Sequence, residues 1–111
     1  MAADESVRLP EDPLEVVAAE AADILILKVA PLGGVRACLR IAEEAGLPVV
    51  VSSAMETSVG LAAGLALALA LPQLEYASGL GTTALLAHDI VARPLRPLGG
   101  ILRPMPLEVT V

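Results

Sequence analysis

The chain has no phenylalanine and no tryptophan, and Tyr76 is its single aromatic residue. Nucleic-acid binding leans on aromatic stacking platforms and basic patches, so this deficit speaks against it. A formal net charge of -6 points the same way, because a polyanion would be repelled. There is one cysteine, Cys38, and therefore no intrachain disulfide, as expected of an intracellular, cytoplasmic chain. The start, Met1-Ala2-Ala3-Asp4-Glu5-Ser6, lacks the basic stretch and apolar run of a secretory signal. No apolar run approaches the roughly 20 residues that span a bilayer; the longest, Val59 to Leu71, stops at Pro72. It reads as a helix buried nearly all round. No membrane and no nucleic acid is expected as a partner.

What is present is aliphatic. Hydrophobic residues make up 56% of 111, mostly Ala, Leu and Val, which suits helices packed closely on a parallel sheet. The order of elements is β-then-α, repeated. Asp12 and Pro13 open a helix over about Leu14 to Ala21, Asp12 as N-cap and Pro13 in its first turn. Ile24 to Leu27 is a continuous apolar strand of the kind covered on both faces. Lys28 follows, then a Pro-Leu-Gly-Gly turn at 31–34 and an amphipathic helix ending near Ala45, with Gly46 as its left-handed terminator. Pro48 to Val51 is a second strand, and a helix from Thr57 or Ser58 runs to Leu71. A weaker third strand is expected at Leu74 to Ala77, followed by Gly79-Leu80-Gly81-Thr82 and a helix from Thr83 to about Val91. Beyond Arg93, prolines and glycines break all periodicity. The expected division is a partial (β/α) barrel over 1–92 and an irregular tail over 93–111. Polar Asp4-Glu5-Ser6 stands where a strand should be ending, with almost no strand before it, so the chain reads as cut from a longer one.

Parallel α/β folds gather reactive groups at the C-terminal ends of their strands. Here that edge holds Asp4, Lys28, Ser52, Ser53, Glu56 and Gly79. Lys28 is the sharpest signal. It is the only lysine, in a chain whose six other basic residues are all arginine. An amine at such a mouth can be tuned to exchange protons, which a guanidinium cannot do; the bland alternative is a side chain reaching from a strand end to solvent. Asp4 is a candidate ligand for a hard cation such as Mg2+, or a solvated acid. Ser52 and Ser53 hold a substrate carboxylate or merely cap the next helix. Gly79 exposes its backbone to an anion or simply makes a turn. His88 and Cys38 lie on helices away from this edge and read as surface or packing residues.

These motifs, in this order, resemble the o-succinylbenzoate synthases of the enolase superfamily, in its muconate-lactonizing-like branch. The resemblance rests on Asp4-Glu5-Ser6, on Leu27-Lys28 with Pro31-Leu32-Gly33-Gly34, on the run from Val51-Ser52-Ser53 to Glu56-Thr57-Ser58-Val59-Gly60, and on Gly79-Leu80-Gly81-Thr82. It implies the C-terminal half of a (β/α)8, TIM-like barrel, from the end of its fifth strand through its eighth. It also implies a Mg2+-dependent lyase of menaquinone biosynthesis that dehydrates 2-succinyl-6-hydroxy-2,4-cyclohexadiene-1-carboxylate, a small-molecule carboxylate, to 2-succinylbenzoate. By position, Lys28 matches the sixth-strand catalytic lysine, thought to stabilise an enediolate. Asp4 matches the third metal-binding acid, Ser52 and Ser53 the seventh-strand segment near the substrate, and Gly79 the eighth-strand turn. The second-strand lysine, the other two acids and the capping domain have no counterpart here. The expectation is therefore a fragment inactive alone, whose partners are the missing N-terminal half or another copy of itself. The alternatives left open are part of an N-acylamino-acid racemase or dipeptide epimerase, or a non-catalytic, self-associating half-barrel.

Overall fold

A computed structural model describes residues 1–110; Val111, the last residue of the expected tail, lies outside the described residues. Three short parallel strands form one sheet in the order β1 (Ala2–Ala3), β2 (Ile24–Leu27), β3 (Val49–Val51). Leu25, Leu27, Val49 and Val51 are buried, as a strand covered by helices requires. The register sets Ala3 beside Leu25 and Leu27 beside Val51. It therefore brings the residues that follow each strand to a common edge.

Four helices complete the frame: α1 (Asp12–Ala18), the single turn α2 (Val29–Leu32), α3 (Val35–Ala45) and α4 (Ser58–Ala70). Gly33 and Gly34, at φ 97° and 114°, turn the chain between α2 and α3, and Gly46 ends α3 at φ 66°. These are left-handed conformations that cost glycine little. Along α3, Cys38, Ile41 and Ala45 recur at helical spacing and face the core.

Several expectations fail in instructive ways. Asp12 is not the N-cap of α1: Glu11 holds that position without a side-chain bond. Asp12 Oδ2 instead reaches back to accept the N–H groups of Arg8 and Leu9 at 3.0 and 2.8 Å. The helix also stops at Ala18, and the chain turns through Glu20 at φ 52°. Nor is α4 buried all round. Its inner face holds Leu61, Gly64, Leu65 and Leu67, while Val59 and Leu69 lie exposed. An apolar sequence does not oblige every face to be covered.

The third apolar strand does not form. Residues 72–79 are exposed and irregular, and the single parallel bridge there joins Ser52 to Gly79. Gln73 and Glu75 interrupt the apolar pattern, and among the described residues nothing pairs with the outer side of this segment. Such an edge gains too little to order a full ladder. The expected helix from Thr83 to Val91 shrinks to a 3-10 turn over Thr82–Leu85. The tail is anchored all the same. Leu95 is buried, its N–H donates to Ser58 Oγ at 2.7 Å, and its carbonyl accepts from Thr83 Oγ1 at 2.7 Å.

Candidate active site

Because β1 and β2 pair in parallel, the first side chains beyond them that carry charge meet: the Lys28 ammonium donates to the Asp4 carboxylate. The two residues stand 24 apart in sequence and are joined only by the sheet. Both side chains are partly covered, at 23% exposure for Lys28 and 37% for Asp4. They border a cavity of about 310 Å³ with Glu5, Arg8, Pro31 and Ala54 on its walls. Two larger cavities lie elsewhere, one beside the start of β3 and one in the tail.

Ser52 sits next along the same edge, its N–H donating to Leu27 O at 3.0 Å. Gly79 closes the row: its N–H donates to Val51 O at 2.8 Å, and its carbonyl accepts from Ser53 N at 2.9 Å. A Cβ built on Gly79 would stand 3.2 Å from Ser52 Oγ, so the two residues are in tight contact.

Ser53 points differently. It is buried, and its Oγ lies 2.8 Å from Thr82 Oγ1 and 3.3 Å from Gly79 O. Thr82 Oγ1 also lies 2.8 Å from Ala54 O, so the two hydroxyl protons serve two of these three contacts at a time. The Ser53 hydroxyl thus ties the Gly79–Thr82 turn to the end of β3, and none of Ser52, Ser53 and Gly79 lines the cavity beside Lys28. Glu56, on the same loop, packs under the first turn of α4 at Gly60, and burial raises its carboxyl above the ordinary value.

Two residues to which the sequence pattern assigned no role hold the loops behind this edge. Thr82 is one. Asp89 is the other: its carboxylate accepts the Ser58 N–H and, at 2.6 Å, the Ser58 hydroxyl, capping α4 from 31 residues away. Burial pushes the Asp89 carboxyl up, but the Ser58 and Ile90 hydrogen bonds and the Arg96 charge outweigh it, and the net shift is downward. No local spacing signals either contact. His88 is exposed, and burial pushes the Cys38 thiol up to about 11, so that thiol stays protonated near neutral pH.

Mg2+ asks for several oxygen ligands around one point. Among the described residues no three His, Cys, Asp or Glu side chains converge, and the carboxylate of Asp4 is already paired with Lys28. Taken alone, this chain does not fit a magnesium site. What the edge does offer is a carboxylate, a primary ammonium and a hydroxyl in that order along one sheet end, the first two on the wall of a small cavity.

The family model described as enolase C-terminal domain-like matches residues 1–106. An o-succinylbenzoate synthase from Thermobifida fusca is 68% identical over 102 residues, which cover 92% of this chain and 32% of that protein. The corresponding protein of Mycobacterium tuberculosis is 59% identical over the same length. Among solved structures, a muconate lactonizing enzyme from Pseudomonas putida superposes with a TM-score of 0.86 at 34% identity, covering 98% of this chain and 33% of that one. The L-Ala-D/L-Glu epimerase from Bacillus subtilis superposes at 0.77 with 26% identity, covering 97% of this chain and 30% of that one. The chain thus spans about a third of the length of the relatives it matches. With its parallel strands alternating with helices, it belongs to the enolase C-terminal domain-like family, as a segment of that superfamily's (β/α) barrel.

Proposed function

We propose that this chain supplies the C-terminal part of an o-succinylbenzoate synthase, with residues 1–92 as its share of the barrel and 93–111 as a tail. The reaction is a dehydration. A proton leaves the carbon α to a carboxylate, charge builds on the carboxylate oxygens as an enediolate, and loss of the ring hydroxyl as water leaves the aromatic 2-succinylbenzoate, a step of menaquinone biosynthesis. In this reading Lys28 is catalytic: its compact ammonium stabilises the developing oxyanion from one side. Asp4 orients that ammonium, and in a completed barrel it would be one of three acids available to Mg2+, with the other two outside these 111 residues. Ser52 and Gly79 would meet the substrate, while Ser53 holds the turn that presents Gly79.

The observation that carries the reading is the Lys28–Asp4 pair at the strand ends of a chain 68% identical to a synthase. The racemase or epimerase alternative has less behind it, with 26% identity to the Bacillus epimerase. The test joins this chain to the N-terminal portion of the Thermobifida relative and assays 2-succinylbenzoate formation. The joined protein is expected to turn over and the 111-residue chain alone is not. Turnover by the chain alone, or a folded joined protein with no activity, would defeat the proposal.

A further inference from the structure

Charge is divided unevenly along this chain. More than half of its 13 acids precede β2, where Arg8 is the one basic side chain. On α1 and just ahead of it, Glu11 and Glu15 are exposed one helical turn apart, beside Leu14 at 38% exposure and Leu9 at 55%. The tail carries the opposite pattern. Arg93, Arg96 and Arg103 surround a cavity of about 710 Å³ whose apolar walls include Leu98 and Ile101. Leu98 is 81% exposed and Ile101 54%. No carboxylate lines this cavity, and among the described residues none of the three arginines makes an ion pair.

The cavity is held in shape before anything enters it. Leu95, in its wall, is pinned through both backbone groups by Ser58 and Thr83. The turn between Leu98 and Ile101 is closed by reciprocal hydrogen bonds of 2.8 and 3.0 Å. A preformed surface loses little ordering entropy on binding.

We propose that this tail cavity docks the acidic α1 edge of a second copy of the chain, Leu9 and Leu14 meeting Leu98 and Ile101 while Glu11 and Glu15 face the arginines. Copies of net charge -6 repel one another in most orientations. At a Debye length of about 8 Å the local pattern decides, and this orientation sets opposite charges together. The two surfaces differ, so the contact is head-to-tail and adds copies in a row unless its rotation closes a ring. It is independent of any catalytic role for Lys28.

Sedimentation velocity of the 111-residue chain over a concentration series tests this. Larger species should grow with concentration at about 0.15 M ionic strength and recede as salt is raised above it. R93E/R103E should weaken association roughly tenfold or more, with Arg96 left in place because it faces Asp89. E11R/E15R should do the same. An equimolar mixture of the two variants should reassemble, because each then offers the other both matched surfaces. A monomer at every concentration, association strengthened by salt, or a mixture of folded variants that stays apart would overturn the proposal. The salt arm reads the contact even if a variant fails to fold.

Discussion

The carboxylate of Asp89 accepts both the backbone N–H and the hydroxyl of Ser58, and so closes the N-terminus of α4 from a loop 31 residues away. Ser58 is fully buried, and its oxygen also takes the N–H of Leu95. One carboxylate therefore fastens a helix, a loop and the tail together.

Asp89→Ala should destabilise the fold by about 1–2 kcal/mol at neutral pH, the scale of a lost helix cap. Asp89→Asn, which keeps an acceptor, should cost less. The folded-state pKa is lowered from 3.8. The charge contribution is therefore present above the unfolded value and is lost as pH falls through the lower, folded one. Urea unfolding of the three proteins at pH 7 and pH 3 should show the gap between parent and Asp89→Asn narrowing in acid. An unchanged gap would count against the charge.

Gly79→Ala should press on the Ser52 hydroxyl, since its Cβ would lie 3.2 Å from that oxygen. Forcing a side chain off its rotamer costs about 0.5–1.5 kcal/mol. Ser52→Ala removes the obstructing oxygen, so the double variant should recover most of the loss. A double-mutant cycle in chemical denaturation measures this, and additive single costs would refute the contact.

In the joined enzyme, Lys28→Arg should lower kcat far more than it raises KM, because a planar guanidinium replaces a compact ammonium. A loss of about 2.7–4 kcal/mol, or roughly 10²–10³ in rate, is the scale for removing one charge-stabilising donor. Lys28→Ala should be at least as damaging. Arg36→Ala, an exposed position on α3, should be nearly neutral. Steady-state kinetics of the three variants decide it. Near-parental kcat in a folded Lys28→Ala would return Lys28 to the role of a solvated strand end.

Calorimetric titration of the 111-residue chain with Mg2+ should show no binding tighter than roughly millimolar, the range of weakly ligated divalent sites. The reason is the lone Asp4 carboxylate, already paired with Lys28. Micromolar binding would mean that ligands converge which the folded chain does not present.

The strands β2 and β3, the helices α3 and α4 and the left-handed Gly46 are legible in the sequence because each rests on local chemistry. Continuous aliphatic runs demand cover, a helical stripe demands a core, and a positive φ favours glycine. The edge holding Asp4, Lys28, Ser52 and Gly79 follows from the same source, since a parallel sheet puts every strand end on one side. The expected strand 74–77 and helix 83–91 are absent for a complementary reason. A strand is stabilised by its neighbours, and the exposed run from Pro72 to Gly79 has one on one side only, at a single bridge.

The amino-acid order by itself determined which residues are apolar, where the chain turns, and that one amine stands directly after an apolar strand. The tertiary structure alone decided what those groups touch. It paired Lys28 with Asp4, turned Ser53 inward to Thr82, and set Asp89 on the end of α4. The physical reason is range: propensity and periodicity act within a few residues, whereas these hydrogen bonds join groups 24 to 31 residues apart, brought together only when the sheet and its helices pack.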